Sequence, residues 1–108
     1  MENKFTKGPW IVLDGAFVYA LNDFGVNQFD LTINGHGKRG AGEEELQANA
    51  HLIAAAPLLY DEIENEIKLL LEMKEKAPIG NYRQAIINQI ERKQALLAKA
   101  RGELWQQN

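Results

Sequence analysis

From Leu46 to Tyr60 the chain carries no Asp, Glu, Lys or Arg, although these residues make up 25% of the whole sequence. Its centre, Ala48-Asn49-Ala50-His51-Leu52-Ile53-Ala54-Ala55-Ala56-Pro57-Leu58-Leu59-Tyr60, is rich in alanine, the strongest helix former. Such a small-sided, uncharged helix is expected to be covered by other structure, because small side chains let neighbouring backbones approach closely. It divides the chain: the residues before it have the pattern of a small sheet, and those after it the pattern of long amphipathic helix.

Before the divide, Trp10-Ile11-Val12-Leu13 is a short run of β formers, followed by Asp14-Gly15, a signal for a tight two-residue hairpin turn. Ala16 to Leu21 returns, with Phe17, Tyr19 and Leu21 on one face by period-two alternation. Asn22-Asp23-Phe24-Gly25 makes a second turn. Val26 to Ile33 then forms a third strand with Phe29, Leu31 and Ile33 on one face. These features predict a three-stranded antiparallel meander. Six of the nine aromatic residues lie in the first 29 positions, which suits a small sheet that needs bulky side chains for a core. The competing use, a stacking platform for bases or another flat ligand, draws on the same residues.

Past the divide, Glu43 to about Ala55 is predicted to be a short helix, with three glutamates at its positive N-terminal end. Pro57 is expected to break or sharply kink it, since proline lacks the N–H donor and disfavours helical geometry at Ala56. From Leu58 to Ala77 the stripe is Tyr60, Ile63, Ile67, Leu70, Lys74 and Ala77. Pro78-Ile79-Gly80 then turns the chain. Asn81 is placed as an N-cap with Gln84 three residues on, and a last helix is predicted to run to about Trp105 with the stripe Ile86, Ile90, Lys93, Leu97, Ala100 and Leu104. Folding at Pro78 sets Leu70 near Ile90, Ile63 near Leu97 and Tyr60 near Ala100, with Lys93 extending toward Glu64 or Glu66. The predicted fold is α+β: a three-stranded antiparallel meander, a short helix and a long antiparallel helical hairpin. The sheet and glycine-rich loop occupy residues 1–42 and the helices residues 43–108, in one compact unit.

The run Ala48 to Pro57, together with Gly8-Pro9-Trp10, resembles a family of short bacteriophage and prophage proteins. These begin with a Gly-Pro-Trp strand and continue into an Asn-Ala-x-Leu-Ile-Ala-Ala-Ala-Pro helix. The present chain departs from the pattern at Leu58, where similar proteins place an acidic residue. What the resemblance implies is a phage-encoded accessory protein acting in the bacterial host cytoplasm; it brings no functional residues with it.

The sequence has no cysteine, which excludes disulfides, thiolate catalysis and cysteine-based zinc sites. It also has no serine, and Thr6 and Thr32 lack an obvious base. His36 and His51 have no spaced carboxylate partner that would make a metal site. Carboxylate pairs such as Glu62 with Glu66 sit among charged and polar neighbours, as on a solvated helix face. No enzyme activity, metal or cofactor is therefore expected. No apolar run is long enough to span a membrane. The net charge of −3 falls entirely on residues 43–108, which makes direct DNA or RNA binding a poor expectation.

Two features point to binding. Gly35, His36, Gly37, Lys38, Arg39 and Gly40 form a basic, glycine-rich loop that opens onto a helix N-terminus, an arrangement suited to an anion. Leu59, Leu69, Leu71, Met73, Ile87, Leu96 and Trp105 fall off the hairpin seam. Of these, Leu69, Met73, Ile87, Leu96 and Trp105 are expected to form an interface in a homo-oligomer, a dimer or larger. With the phage resemblance, the loop suggests an oligomeric binder that sequesters an anionic, nucleotide-like signal of host defence, with Arg83 or Arg92 assisting. The alternative is a protein–protein inhibitor of a host defence complex that uses the acidic helical surface.

Overall fold

The computed structural model describes residues 4–14, 17–32, 40 and 42–103. Three strands, β1 (Ile11–Leu13), β2 (Phe17–Leu21) and β3 (Asn27–Thr32), form an antiparallel sheet in the order β1-β2-β3. Two helices follow, α1 (Glu43–Lys76) and α2 (Asn81–Ala100). The chain divides into two compact units, one of residues 5–59 and one built from Lys4 and from Tyr60 onward; α1 contributes residues to both. The meander and the helical hairpin are both as the sequence predicts.

The first turn is longer than the two residues expected. Leu13 pairs with Phe17, which leaves residues 14–16 between the strands; Gly15 and Ala16 lie outside the described residues. This register sets Val12 opposite Val18, whereas a one-residue slip would set Val12 opposite Phe17 and move it to the other face. Asp14 takes a left-handed φ of 53°, a conformation that Asp tolerates better than most residues. At the second turn the Asn22 side-chain oxygen accepts hydrogen bonds from the Phe24 and Val26 amides, at 2.9 and 3.0 Å. The backbone also closes there, from the Gly25 amide to the Asn22 carbonyl, and Gly25 supplies the positive φ of 77°.

Phe17, Tyr19 and Leu21 do share a face, but it is not the covered one. Val18 and Ala20 are fully buried, while Phe17 and Tyr19 are half-buried and Leu21 is exposed. Val18 pairs with Leu31 and Ala20 with Phe29, so Phe29 belongs to the covered side, where Trp10 meets it edge-on with ring centroids 4.9 Å apart. In the same unit Leu46, Ala50 and Pro57 of α1 are buried. Val18, Ala20, Leu46 and Ala50 are thus the buried centre of this unit, while Trp10, Phe17, Tyr19 and Phe29 are only half-buried and sit at its margin.

Pro57 neither ends α1 nor starts a new helix; the expected short helix and the first arm of the hairpin are one element. An interior proline costs about 3 kcal/mol, because it removes a hydrogen bond and its ring crowds the carbonyl four residues back. Two features offset this cost. Ala54-Ala55-Ala56 is a strong helix-forming run, and the proline ring is itself buried. The apolar positions also stay in phase across it: Leu46, Ala50, Ile53, Pro57, Tyr60, Ile63 and Ile67 follow one another at spacings of three and four.

In the second unit α1 closes at Ala77, whose amide donates to the Met73 carbonyl at 3.0 Å, and Pro78 follows. The start of α2 differs from expectation. Gly80 is the N-cap, with φ 151° and ψ −170°, a region open essentially to glycine; Asn81 is the first helical residue and makes no capping bond. The Gln84 side chain points forward, donating to Asn88 at 2.9 Å.

At its other end α2 stops well short of Trp105. Gly102 adopts φ 75°, the Gly102 amide donates to the Lys99 carbonyl and the Glu103 amide to the Ala98 carbonyl, each at 3.0 Å. These paired bonds around a left-handed glycine form the Schellman terminator. Polar contacts link the two arms of the hairpin: Arg83 Nε to the Lys74 carbonyl at 3.4 Å, Lys93 Nζ to Glu66 at 3.0 Å, and Arg101 Nη1 to the Tyr60 hydroxyl at 2.7 Å. The Lys93 pair is one of the two expected. The Tyr60 hydroxyl accepts from Arg101, the residue next to the expected Ala100, and Ala100 is exposed. Among the described residues of this unit, Tyr60, Ile67, Ile86, Ile90 and Leu97 are buried.

Candidate association surfaces

The sequence-derived ligand loop falls largely outside the described residues, which exclude 33–39; Gly40 is described and is exposed. Glu43, Glu44 and Glu45, in the first turn of α1, are exposed as well. Their carboxylates favour the positive helix end and would repel an anion brought to it. Among the described residues no group of three or more His, Asp or Glu side chains is placed to hold a metal ion. No helix among them is long and apolar enough to cross a membrane.

The interface candidates of the hairpin differ from one another. Leu69 and Leu96 are 60% and 52% exposed, and Met73 is exposed too. Ile87 is half-buried, and Trp105 lies outside the described residues. The Lys93–Glu66 ion pair marks one side of the hairpin. Met73 lies two turns on from Glu66 along α1, and Leu96 one turn on from Lys93 along α2, so both flank that side. Leu69, one turn from Glu66, sits farther round on the outer face of α1. Leu71, across the seam from these groups, is exposed.

Three further exposed leucines lie on the first half of α1. Leu52 and Leu59 are 66% and 51% exposed, and Leu58 is also exposed. The expectation that the alanine-rich stretch is covered is met on one side of the helix only. The signal for this was present in the sequence: Leu52, Leu58 and Leu59 fall out of phase with the Leu46–Ala50–Ile53–Pro57 stripe.

One polar cluster ties down the end of the hairpin. Arg101 donates from Nε to Glu103 Oε2 at 2.6 Å, from Nη2 to Oε1 at 3.2 Å, and from Nη1 to the Tyr60 hydroxyl. The bidentate geometry is the favourable one for a guanidinium–carboxylate pair. The bonds to Glu103 and then Tyr60 raise the Arg101 pKa above its ordinary value, and the Arg101 bonds hold Glu103 below the usual carboxylate value of 4.5. A depressed carboxyl pKa stabilises the fold above the unfolded pKa, and that contribution is lost as pH falls through the folded one. The α2 terminus is therefore expected to loosen on acidification below the ordinary carboxylate range. Melting followed against pH reports this, and Glu103→Gln should flatten the acid limb if the account holds. An unchanged acid limb in that variant would contradict it.

The two sequence stretches that carry the phage resemblance meet in space. Gly8 lies against Pro57, so closely that a β-carbon at position 8 would stand 3.0 Å from Pro57 Cβ and 3.3 Å from Cγ. Next to it the Trp10 indole N–H donates to the Thr6 carbonyl at 3.0 Å. Gly8 is thus seated on the helix at Pro57, where the proline interrupts its hydrogen bonding. No curated protein and no solved structure matches the chain. Among known protein families, residues 1–104 match the one described as Salmonella phage P22 protein Y8K6. The match spans both motifs, the sheet and both helices, and the chain therefore belongs to the Salmonella phage P22 protein Y8K6 family.

Proposed function

We propose that this phage protein is a non-catalytic accessory protein that works by association, first with copies of itself and then with a protein target in the host cytoplasm. The exposure of Leu69, Met73 and Leu96 on the helical hairpin carries this reading. Large apolar groups left in water on a small domain favour burial against another chain. The excess negative charge of residues 43–108 gives the same helices an acidic outer surface, suited to occupying a basic site on a host defence complex.

Sedimentation velocity tests the first step. The protein at roughly 100 μM, where any micromolar Kd populates the complex, is expected to sediment as a dimer or larger. Leu69→Asp combined with Leu96→Asp should return it to a monomer of unchanged helicity. A wild-type monomer at that concentration would overturn the self-association.

A second reading rests on Gly35 to Gly40, where Lys38 and Arg39 lead toward the start of α1. In this reading the oligomer sequesters an anionic, nucleotide-like signal. Calorimetric titration with cyclic and linear oligonucleotide signals tests it directly. Binding lost in a Lys38→Ala, Arg39→Ala variant would favour it, and heat-silent titrations would remove it.

A further inference from the structure

We infer that the outward face of the first half of α1 is a docking seam for a helix of another protein whose two ends are basic. The inference rests on the reading that the protein works through protein contacts, and it names the chemistry of one partner. From Leu46 to Tyr60 the helix has no Asp, Glu, Lys or Arg, its only imidazole being the exposed His51, and one of its faces is open to water. On that face Ala48, Leu52, Ala55 and Leu59 recur at spacings of four, three and four. Ala48 is exposed, Ala55 half-buried, and the two leucines are more than half exposed. Alternating small and large residues at coiled-coil spacing make a row of holes and knobs into which a second helix interdigitates.

The ends of the seam determine what kind of helix fits. Glu43, Glu44 and Glu45 lie at one end and Asp61 and Glu62 at the other, all exposed. No lysine or arginine occurs between Gly40 and Ile67. A second copy of the chain is a poor occupant. Packed antiparallel with Leu52 opposite Ala55 of the other copy, it would bring Glu45 close to the other copy's Glu62, and packed parallel it would align the glutamates with themselves. Like charges at both ends oppose either arrangement, whereas lysine or arginine at both ends of a partner helix would be attracted.

Two synthetic, fluorescently labelled helical peptides of about 20 residues test this against the full chain by anisotropy. Both carry the same uncharged alanine–leucine centre; one has lysine and arginine in its first and last turns, the other glutamate. The basic-ended peptide is expected to bind at least about tenfold more tightly, and to weaken as salt screens its ends. Leu52→Gln with Leu59→Gln should abolish its binding while circular dichroism stays unchanged. Glu44→Lys with Glu62→Lys should transfer the preference to the acidic-ended peptide. Equal binding of both peptides, or binding unaffected by the leucine changes, would overturn the inference and leave the protein-contact reading standing. So would a wild-type oligomer that the Leu52→Gln, Leu59→Gln variant dissociates, because a second copy would then occupy the seam.

Discussion

Replacing Ile90 with alanine is expected to destabilise the hairpin by about 2–4 kcal/mol, the range for removing a buried branched side chain and leaving a cavity. Ile90 is only 6% exposed, and it lies between the Arg83 and Arg101 cross-links on the face of α2 that meets α1. Leu96 is the internal control. It lies on the same helix and is of similar size, but more than half of it is in water, so Leu96→Ala should cost less than roughly 0.5 kcal/mol in a monomer. Chemical denaturation followed by helical circular dichroism separates the two. Equal effects at the two positions would mean that the seam is misassigned.

The second large effect is expected at Gly8. Valine there would force branched atoms into the space held by the Pro57 ring, which a single β-carbon already approaches to 3.0 Å. Overpacking of this kind costs about 1–3 kcal/mol. Because the cost comes from one contact, Pro57→Gly should relieve part of it, and a double-mutant cycle should give a coupling of roughly 0.5–2 kcal/mol. Additive costs would show that Gly8 is constrained by something other than the proline. The cycle thus tests whether the two motifs of the family act as one structural unit.

The hairpin was legible because its seam repeats at helical spacing on both sides of a Pro-x-Gly turn, and even the Lys93–Glu66 pair followed from register. The strands were legible from alternation and from turn residues at Asp14 and Asn22. What misled was local chemistry weighed without its surroundings. Pro57 signals a helix break when considered alone, but Gly8 is far away in sequence and provides the cover that keeps the ring buried. At Asn81 the side chain suits a cap, yet Gly80 reaches a conformation closed to other residues and takes the position first. Gly102 was a visible stop signal that the apolar stripe, continuing to Leu104, outweighed. The covered face of β2 was hidden for a different reason. Alternation shows that Val18 and Phe17 face opposite ways, but not which way the helix lies; full burial of Val18 and Ala20 identifies the covered side.

The candidate surfaces were partly legible. Leu69, Met73 and Leu96 follow from being out of phase with the seam, and they are exposed. Leu52 and Leu58 were overlooked because an uncharged, alanine-rich helix was expected to be enclosed all round. A helix packed on one side only leaves the opposite face in water, whatever its composition.

The claim that the protein works by association is tested most directly by native mass spectrometry of the chain purified from a bacterial host. It counts subunits and retained molecules in a single spectrum. We expect an integer multiple of the chain mass greater than one, with no added small molecule, converting to the single-chain mass in the Leu69→Asp, Leu96→Asp variant. A single-chain species at every concentration, carrying extra mass of nucleotide size, would contradict the account and transfer the function to Lys38 and Arg39.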